Sequence, residues 1–131
     1  IPSLAISLAS RNPVHFETAA RVARDLVQRF KADPFRGAVL LNVNVPDLPY
    51  DELSGIKVTR LGRRHKGAPV IRDENPRGDT IWWVGPIGQI ADSSSGTDFD
   101  AIANGYVSIT PLSIDLTAYP QMEFINKWVS A

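Results

Sequence analysis

Cysteine is absent from this chain, and methionine occurs once, at Met122. Without thiols there is no disulfide framework and no thiolate metal site, and the composition is compatible with a reducing cytoplasm, where we expect the protein to reside. Net charge is absent too. Fourteen basic residues balance fourteen acidic ones, so no whole-chain field draws the protein to nucleic acid or to an anionic membrane. No apolar run approaches about 20 residues and no basic segment leads into an apolar one, so neither a transmembrane helix nor a signal peptide is read in these residues. Histidine is scarce. His15 and His65 lie far apart in sequence, with no HxxxH or HExxH partner, and read as surface or capping residues. No GxSxG, GxGxxG or GxxxxGK[ST] pattern occurs, which leaves acyl-transfer, dinucleotide and Walker chemistry without local support.

What is present is an ordinary globular composition, with 44% hydrophobic and 21% charged residues in 131, suited to one domain with one core. The opening "IPSLAISLAS" is apolar from its first residue and has no initiator methionine, so we expect a C-terminal portion of a longer protein. "SLAISLA" at residues 3–9 has the length and character of a buried parallel strand. In the following segment Phe16, Ala19, Ala20, Ala23, Leu26, Val27 and Phe30 recur at helical spacing, with Arg21, Arg24, Asp25 and Gln28 between them. Asn12 or a neighbour is the expected cap, and Pro13 stands near the first turn. "GAVLLNVNVPDLP" supplies a second strand closed by Pro46 and Pro49. Strand, helix and strand at these lengths predict a βαβ unit with parallel strands; the resemblance described below implies that it belongs to an α/β, Rossmann-like core.

From Gly55 the pattern changes. "IKVTRLGRR" and "TIWWVG" read as two strands joined by a polar, turn-rich connection, which predicts a hairpin arm at about 55–95 projecting from a core of 1–54 and 96–131. Trp82 and Trp83 are adjacent, so in a strand they face opposite ways and at least one must find cover outside a single core. Lys57, Arg60, Arg63, Arg64 and Lys66 form a basic run with no acidic residue among them. Arg60, Arg63 and Arg64 are therefore candidates for binding an anion or contacting another subunit, although no aromatic residues interleave to stack nucleic-acid bases. The stretch "GTDFDAIANGYVSITPL" predicts a short helix capped by Thr97, with Asp98 and Asp100 in its first turn, Phe99 and Ile102 toward the core, and Gly105 as its stop before a strand at 106–110. A C-terminal helix with Phe124, Ile125, Trp128 and Val129 on one side ends the chain. Three acidic pairs, Asp51-Glu52, Asp73-Glu74 and Asp98 with Asp100, could in principle hold a hydrated Mg²⁺. The exposed N–H groups of a first turn explain Asp98 and Asp100 better, and solvation in the polar connection explains Asp73-Glu74 better. Thr97 and Asp98 remain the candidates for direct participation at an active site.

Five blocks occur together and in order: "IPSLAISL", "LLNVNVPDLP", "IKVTRLGRR", "NPRGDTIWWVG" and "GTDFDAIANGYVSITPLSIDLT". In these blocks the chain resembles the SurE (survival protein E) family of nucleotidases over nearly all its length. The resemblance implies a metal-dependent phosphatase acting on nucleoside 5′- and 3′-monophosphates, in some members also on short polyphosphate, and a homo-oligomer, dimer or tetramer, assembled through the hairpin arm. It implies Mg²⁺ or Mn²⁺ held by an N-terminal half whose "NDDG" turn and Asn-rich segment do not occur here. No metal ligand and no established catalytic residue is therefore assigned to this chain. A non-catalytic nucleic-acid or anion-binding module, or an oligomerisation segment, is the competing reading.

Overall fold

The first apolar run, Ser3–Ala9, forms strand β1, and it is followed by helix α1 (Phe16–Ala32) and strand β2 (Leu40–Pro46). The structure, a computed structural model, describes residues 2–34, 37 and 39–130. Ala38, in the stretch expected to start the second strand, lies outside the described residues. β1 and β2 are parallel, with Ser3 opposite Leu40 and Ala9 opposite Pro46, so the βαβ unit forms as expected. The chain then adds β3 (Gly55–Val58), and after a long excursion helix α2 (Asp98–Ala103) and β8 (Tyr106–Leu112). The sheet order is β1-β2-β8-β3. β8 runs antiparallel to β2 and parallel to β3, so the expected parallel core is a mixed sheet.

Register divides this sheet into two unlike faces. Ile6, Val43 and Ile109 stand opposite one another, as do Leu8 and Val45. That face meets α1 and makes the core, in which Val43 and Val45 are fully buried and Val22 and Val107 nearly so. On the other face Ser7, Asn44 and Ser108 are aligned across three strands, with Ala5, Asn42 and Thr110 in the next row. Thr59, Ser108 and Thr110 join their hydroxyls there, at 3.1 and 2.7 Å, which lets three polar side chains be buried without orphaned groups.

Helix α1 packs through Thr18, Ala19, Val22 and Leu26. The expected stripe was centred differently: Phe16 and Val27 are exposed, and Val22 is the buried centre. Thr18 can be buried because its hydroxyl donates to the Leu48 carbonyl at 2.8 Å. Tyr50 clamps the helix from the short 3-10 turn Tyr50–Glu52, donating to Asp25 at 2.6 Å while the Arg21 guanidinium lies 3.8 Å from its ring. β1 is not the buried strand expected of its composition. It is the edge of the sheet, and most of its residues are exposed.

The arm is also redrawn. Gly55–Val58 belongs to the main sheet, because it pairs with β8. The hairpin therefore spans 63–92 rather than 55–95. β4 (Arg63–Arg64) pairs with β7 (Ile90–Asp92) at its base, and β5 (Ile71–Glu74) pairs with β6 (Thr80–Trp83) toward its tip. Local alternation revealed the strands but not their partners. Trp82 and Trp83 remain 62% and 59% exposed. Helix α3 (Tyr119–Val129) exposes the apolar side it was expected to have, including Phe124, Trp128 and Val129.

The start of α1 is held by Asp47, after β2, and not by a cap from Asn12. Its carboxylate accepts from the His15 and Val14 backbone N–H groups at 2.8 and 3.1 Å, and from the His15 ring at 3.1 Å. Bonding by the His15 backbone chiefly holds this carboxyl below its ordinary value of 3.8, at about 2. A depressed folded-state value means the stabilisation is complete above about pH 4 and disappears as pH falls through about 2. Denaturant unfolding between pH 6 and 2 should therefore show a steeper acid loss in the wild type than in Asp47→Asn. Parallel curves would show that this bond does not anchor the helix.

Candidate functional site

The opposite end of the chain closes on the base of the arm. Arg60 and Thr97 form a parallel bridge, in which the Arg60 N–H donates to Gly96 O and the Asp98 N–H to Arg60 O, each at 3.0 Å. Thr97 is fully buried. Its hydroxyl donates to the Ser94 carbonyl at 2.8 Å and accepts from the Asp100 N–H at 3.1 Å. The expected cap is therefore present, and Gly105 follows Asn104 with φ +76°, the left-handed stop that ends α2. Asp98 does more than occupy the first turn. One of its carboxylate oxygens accepts from its neighbour Phe99 N–H at 2.9 Å and from Gly62 N–H, 36 residues away, at 2.8 Å. A side chain at Gly62 would collide with the Phe99 ring, 2.4 Å from its Cβ position, so glycine is required for that approach.

The three arginine candidates separate. Arg60 donates to Asp92 at 2.8 Å and Ser94 at 2.9 Å, and this pairing holds the Asp92 carboxyl well below the usual carboxylate range. It is a strut of the arm base. Arg64 donates to the Gly88 carbonyl at 3.2 Å, and its guanidinium lies 4.8 Å from the Phe99 ring centroid. The Arg63 side chain is exposed and has no hydrogen bond or ion pair among the described residues. The three guanidinium groups thus differ in their partners, and the structure does not bring Trp82 and Trp83 to the arginines at the arm base.

Between this arm base and the carboxyl end of β1 lies a cavity of about 550 Å³. Ser10 and Arg11 line it from the end of β1, Asn44 from β2, Asp98, Phe99 and Ile102 from α2, and Arg64, Ile87 and Ile90 from the arm. The expectation that Phe99 and Ile102 face the core is corrected here: both are half-buried against the cavity, and the α2 residue buried in the interior is Ala101. Ligands of α/β folds bind outside the carboxyl ends of parallel strands, the place this cavity occupies. The Asn44 amide has no hydrogen-bond partner among the described residues, and Arg11 has neither hydrogen bond nor ion pair. Sequence reading missed both. Their signals were an Asn interrupting the apolar "LLNVNVP" and an arginine directly after a strand.

No group of three or more His, Asp or Glu that could hold a metal ion occurs among the described residues. Asp98, whose oxygen already accepts two backbone N–H groups, is not part of a carboxylate cage. The residues of this chain do not fit the divalent metal implied by its resemblance. Also among the described residues, no helix is long and apolar enough to cross a membrane.

A mixed α/β sheet with a ligand-sized cavity at the carboxyl end of its parallel strands, and an arm rooted beside it, defines the class. The chain belongs to the SurE family: the model for survival protein SurE matches residues 1–68. It is 56% identical over 129 residues to a 5′-nucleotidase SurE of Nitrosomonas eutropha, covering 98% of this chain and 52% of that protein. Against the 5′-nucleotidase SurE of Chromobacterium violaceum the identity is 53%, with the same coverage. The crystal structure of the SurE protein from Aquifex aeolicus superimposes with a TM-score of 0.75 at 39% identity, over all of this chain and 52% of that one. The chain spans about half the length of the curated relatives it matches.

If Thr97 and Asp98 are a cap and a staple, Thr97→Ala should lower stability by about 1 kcal/mol, with Thr97→Ser recovering most of it. Asp98→Asn should lower the melting temperature as well, because it weakens the acceptor shared by the Gly62 and Phe99 N–H groups. Unchanged melting in both Thr97→Ala and Asp98→Asn would refute the cap and the staple.

Proposed function

We propose that this chain is the C-terminal half of a nucleotidase that hydrolyses nucleoside 5′-monophosphates, with 3′-monophosphates and short polyphosphate as further substrates. The observation that carries the reading is its identity of above 50%, along nearly its whole length, to proteins named 5′-nucleotidase SurE. The cavity supports it, since free polar groups and an aromatic wall meet where α/β folds bind ligands. Phosphoryl transfer depends on neutralising charge on the phosphate oxygens, and among the cavity residues Arg11 and Arg64 would contribute cations and Asn44 a hydrogen-bond donor to that task. The ligands for Mg²⁺ or Mn²⁺ would come from the remainder of the family's length, which would pack along the exposed apolar edge of β1. Engagement of Arg60 and Arg64 within the arm base disfavours a nucleic-acid-binding strip. The absence of cysteine suits a cytoplasmic location.

The full-length protein should release phosphate from AMP with Mg²⁺ or Mn²⁺, EDTA should abolish turnover, and the 131-residue chain alone should be inactive. EDTA-sensitive turnover by the isolated chain would refute the division of labour proposed here.

Self-association through the arm is the second part of the proposal. Trp82, Trp83, Ile71 and Val84 are exposed on a narrow two-stranded ribbon that has no core of its own. Cover by another subunit, in a dimer or tetramer, would remove this surface from water. In the full-length protein Trp82→Ala or Trp83→Ala should shift the sedimentation distribution toward smaller species. An unaltered distribution in both variants would remove the arm from the interface.

A further inference from the structure

Two large cavities flank the ends of β1, and they differ in chemistry. The one beside Pro2 and Leu4, of about 580 Å³, is walled mainly by aliphatic carbon from Leu26, Val27, Leu41 and Ile109. The one at the carboxyl end combines an aromatic ring, a guanidinium, a free amide and branched aliphatic residues. We propose that this second cavity seats the nucleoside of the substrate, with Phe99 and Arg64 as its planar wall and the Asn44 amide hydrogen-bonding the base edge. The proposal rests on the nucleotidase reading and adds to it the residues that distinguish a nucleotide from other phosphate monoesters.

Three features carry it. First, the volume of about 550 Å³ lies in the range of sites that enclose a small ligand. Second, the wall is preorganised. The Arg64 guanidinium is pinned to the Gly88 carbonyl and held 4.8 Å from the Phe99 centroid, while Phe99 is itself fixed against Gly62 by the Asp98 staple. A planar heterocycle stacks on such surfaces whatever its sequence of ring atoms, and Ile90 and Ile102 give it apolar surroundings. Third, the Asn44 amide offers both a donor and an acceptor, and among the described residues neither is used. A half-buried amide left open beside an aromatic wall matches the paired donors and acceptors of a nucleobase edge. Arg11, also without a partner among the described residues, lines the same cavity and supplies positive charge for the phosphate.

The test uses the full-length protein with AMP, inorganic phosphate and p-nitrophenyl phosphate as probes. Calorimetric titration should show Asn44→Ala and Phe99→Leu each weakening AMP binding about tenfold, without a parallel loss for inorganic phosphate. In each variant the ratio of kcat/KM for AMP to that for p-nitrophenyl phosphate should fall by about the same factor. Phe99→Leu keeps an apolar side chain against Gly62, so it remains informative if Asn44→Ala fails to fold. Equal weakening for AMP and phosphate, unchanged AMP affinity in the folded variants, or no AMP binding by the wild type would each overturn the proposal. The nucleotidase reading fails separately. Wild type that binds AMP through these residues but releases no phosphate with Mg²⁺ or Mn²⁺ would sink the activity and leave the cavity standing, whereas turnover indifferent to both variants would do the reverse.

Discussion

Everything at the functional end of this molecule depends on the contact between the Asp98 carboxylate and the Gly62 N–H, 36 residues apart and 2.8 Å in space. It ties the entrance of the arm to the first turn of α2, and the buried Thr97 hydroxyl ties the exit of the arm to the same turn through Ser94. A carboxylate that accepts backbone N–H groups makes charge-assisted bonds that are short and directional, stronger than those between neutral groups. The arm leaves and rejoins the domain at one point because these bonds converge there. Phe99 lies against Gly62 and beneath Arg64 for the same reason, so the cavity inherits its shape from the staple.

The sheet supplies the other constraint. Its apolar face is closed by α1, while its opposite face carries serine, asparagine and threonine in register. Burying hydroxyls on a sheet is tolerable only where they satisfy one another, and Thr59, Ser108 and Thr110 do so. Asn44 stands in the same layer without such a partner among the described residues, at the point where the sheet meets the cavity.

Apolar surface stays exposed at three places on this chain. The β1 edge, the tryptophan pair of the arm and the outer side of α3 expose apolar side chains that monomeric proteins ordinarily cover. The three surfaces lie on different elements, and one partner need not cover them all. The proposed second half and second subunit, at the β1 edge and the arm, would each cover one of these surfaces.

Local order was legible in the sequence. Helical spacing located α1, proline and glycine punctuation bounded β2 and α2, and Thr97 was recognisable as a cap three residues before Asp100. These features depend on interactions within a turn or two, so neighbouring residues suffice to specify them. The sequence also placed the chain in its family through blocks in a fixed order. What only tertiary structure decided was partnership at a distance: β3 joining β8 instead of the arm, Val22 and not Phe16 facing the core, and Arg60 turning inward to Asp92. Alternation specifies that a strand has two faces and is silent on which strand lies beside it. The cavity belongs to this second kind of fact, because Arg11, Asn44, Arg64 and Phe99 come from four segments and meet only when the sheet, α2 and the arm base have closed.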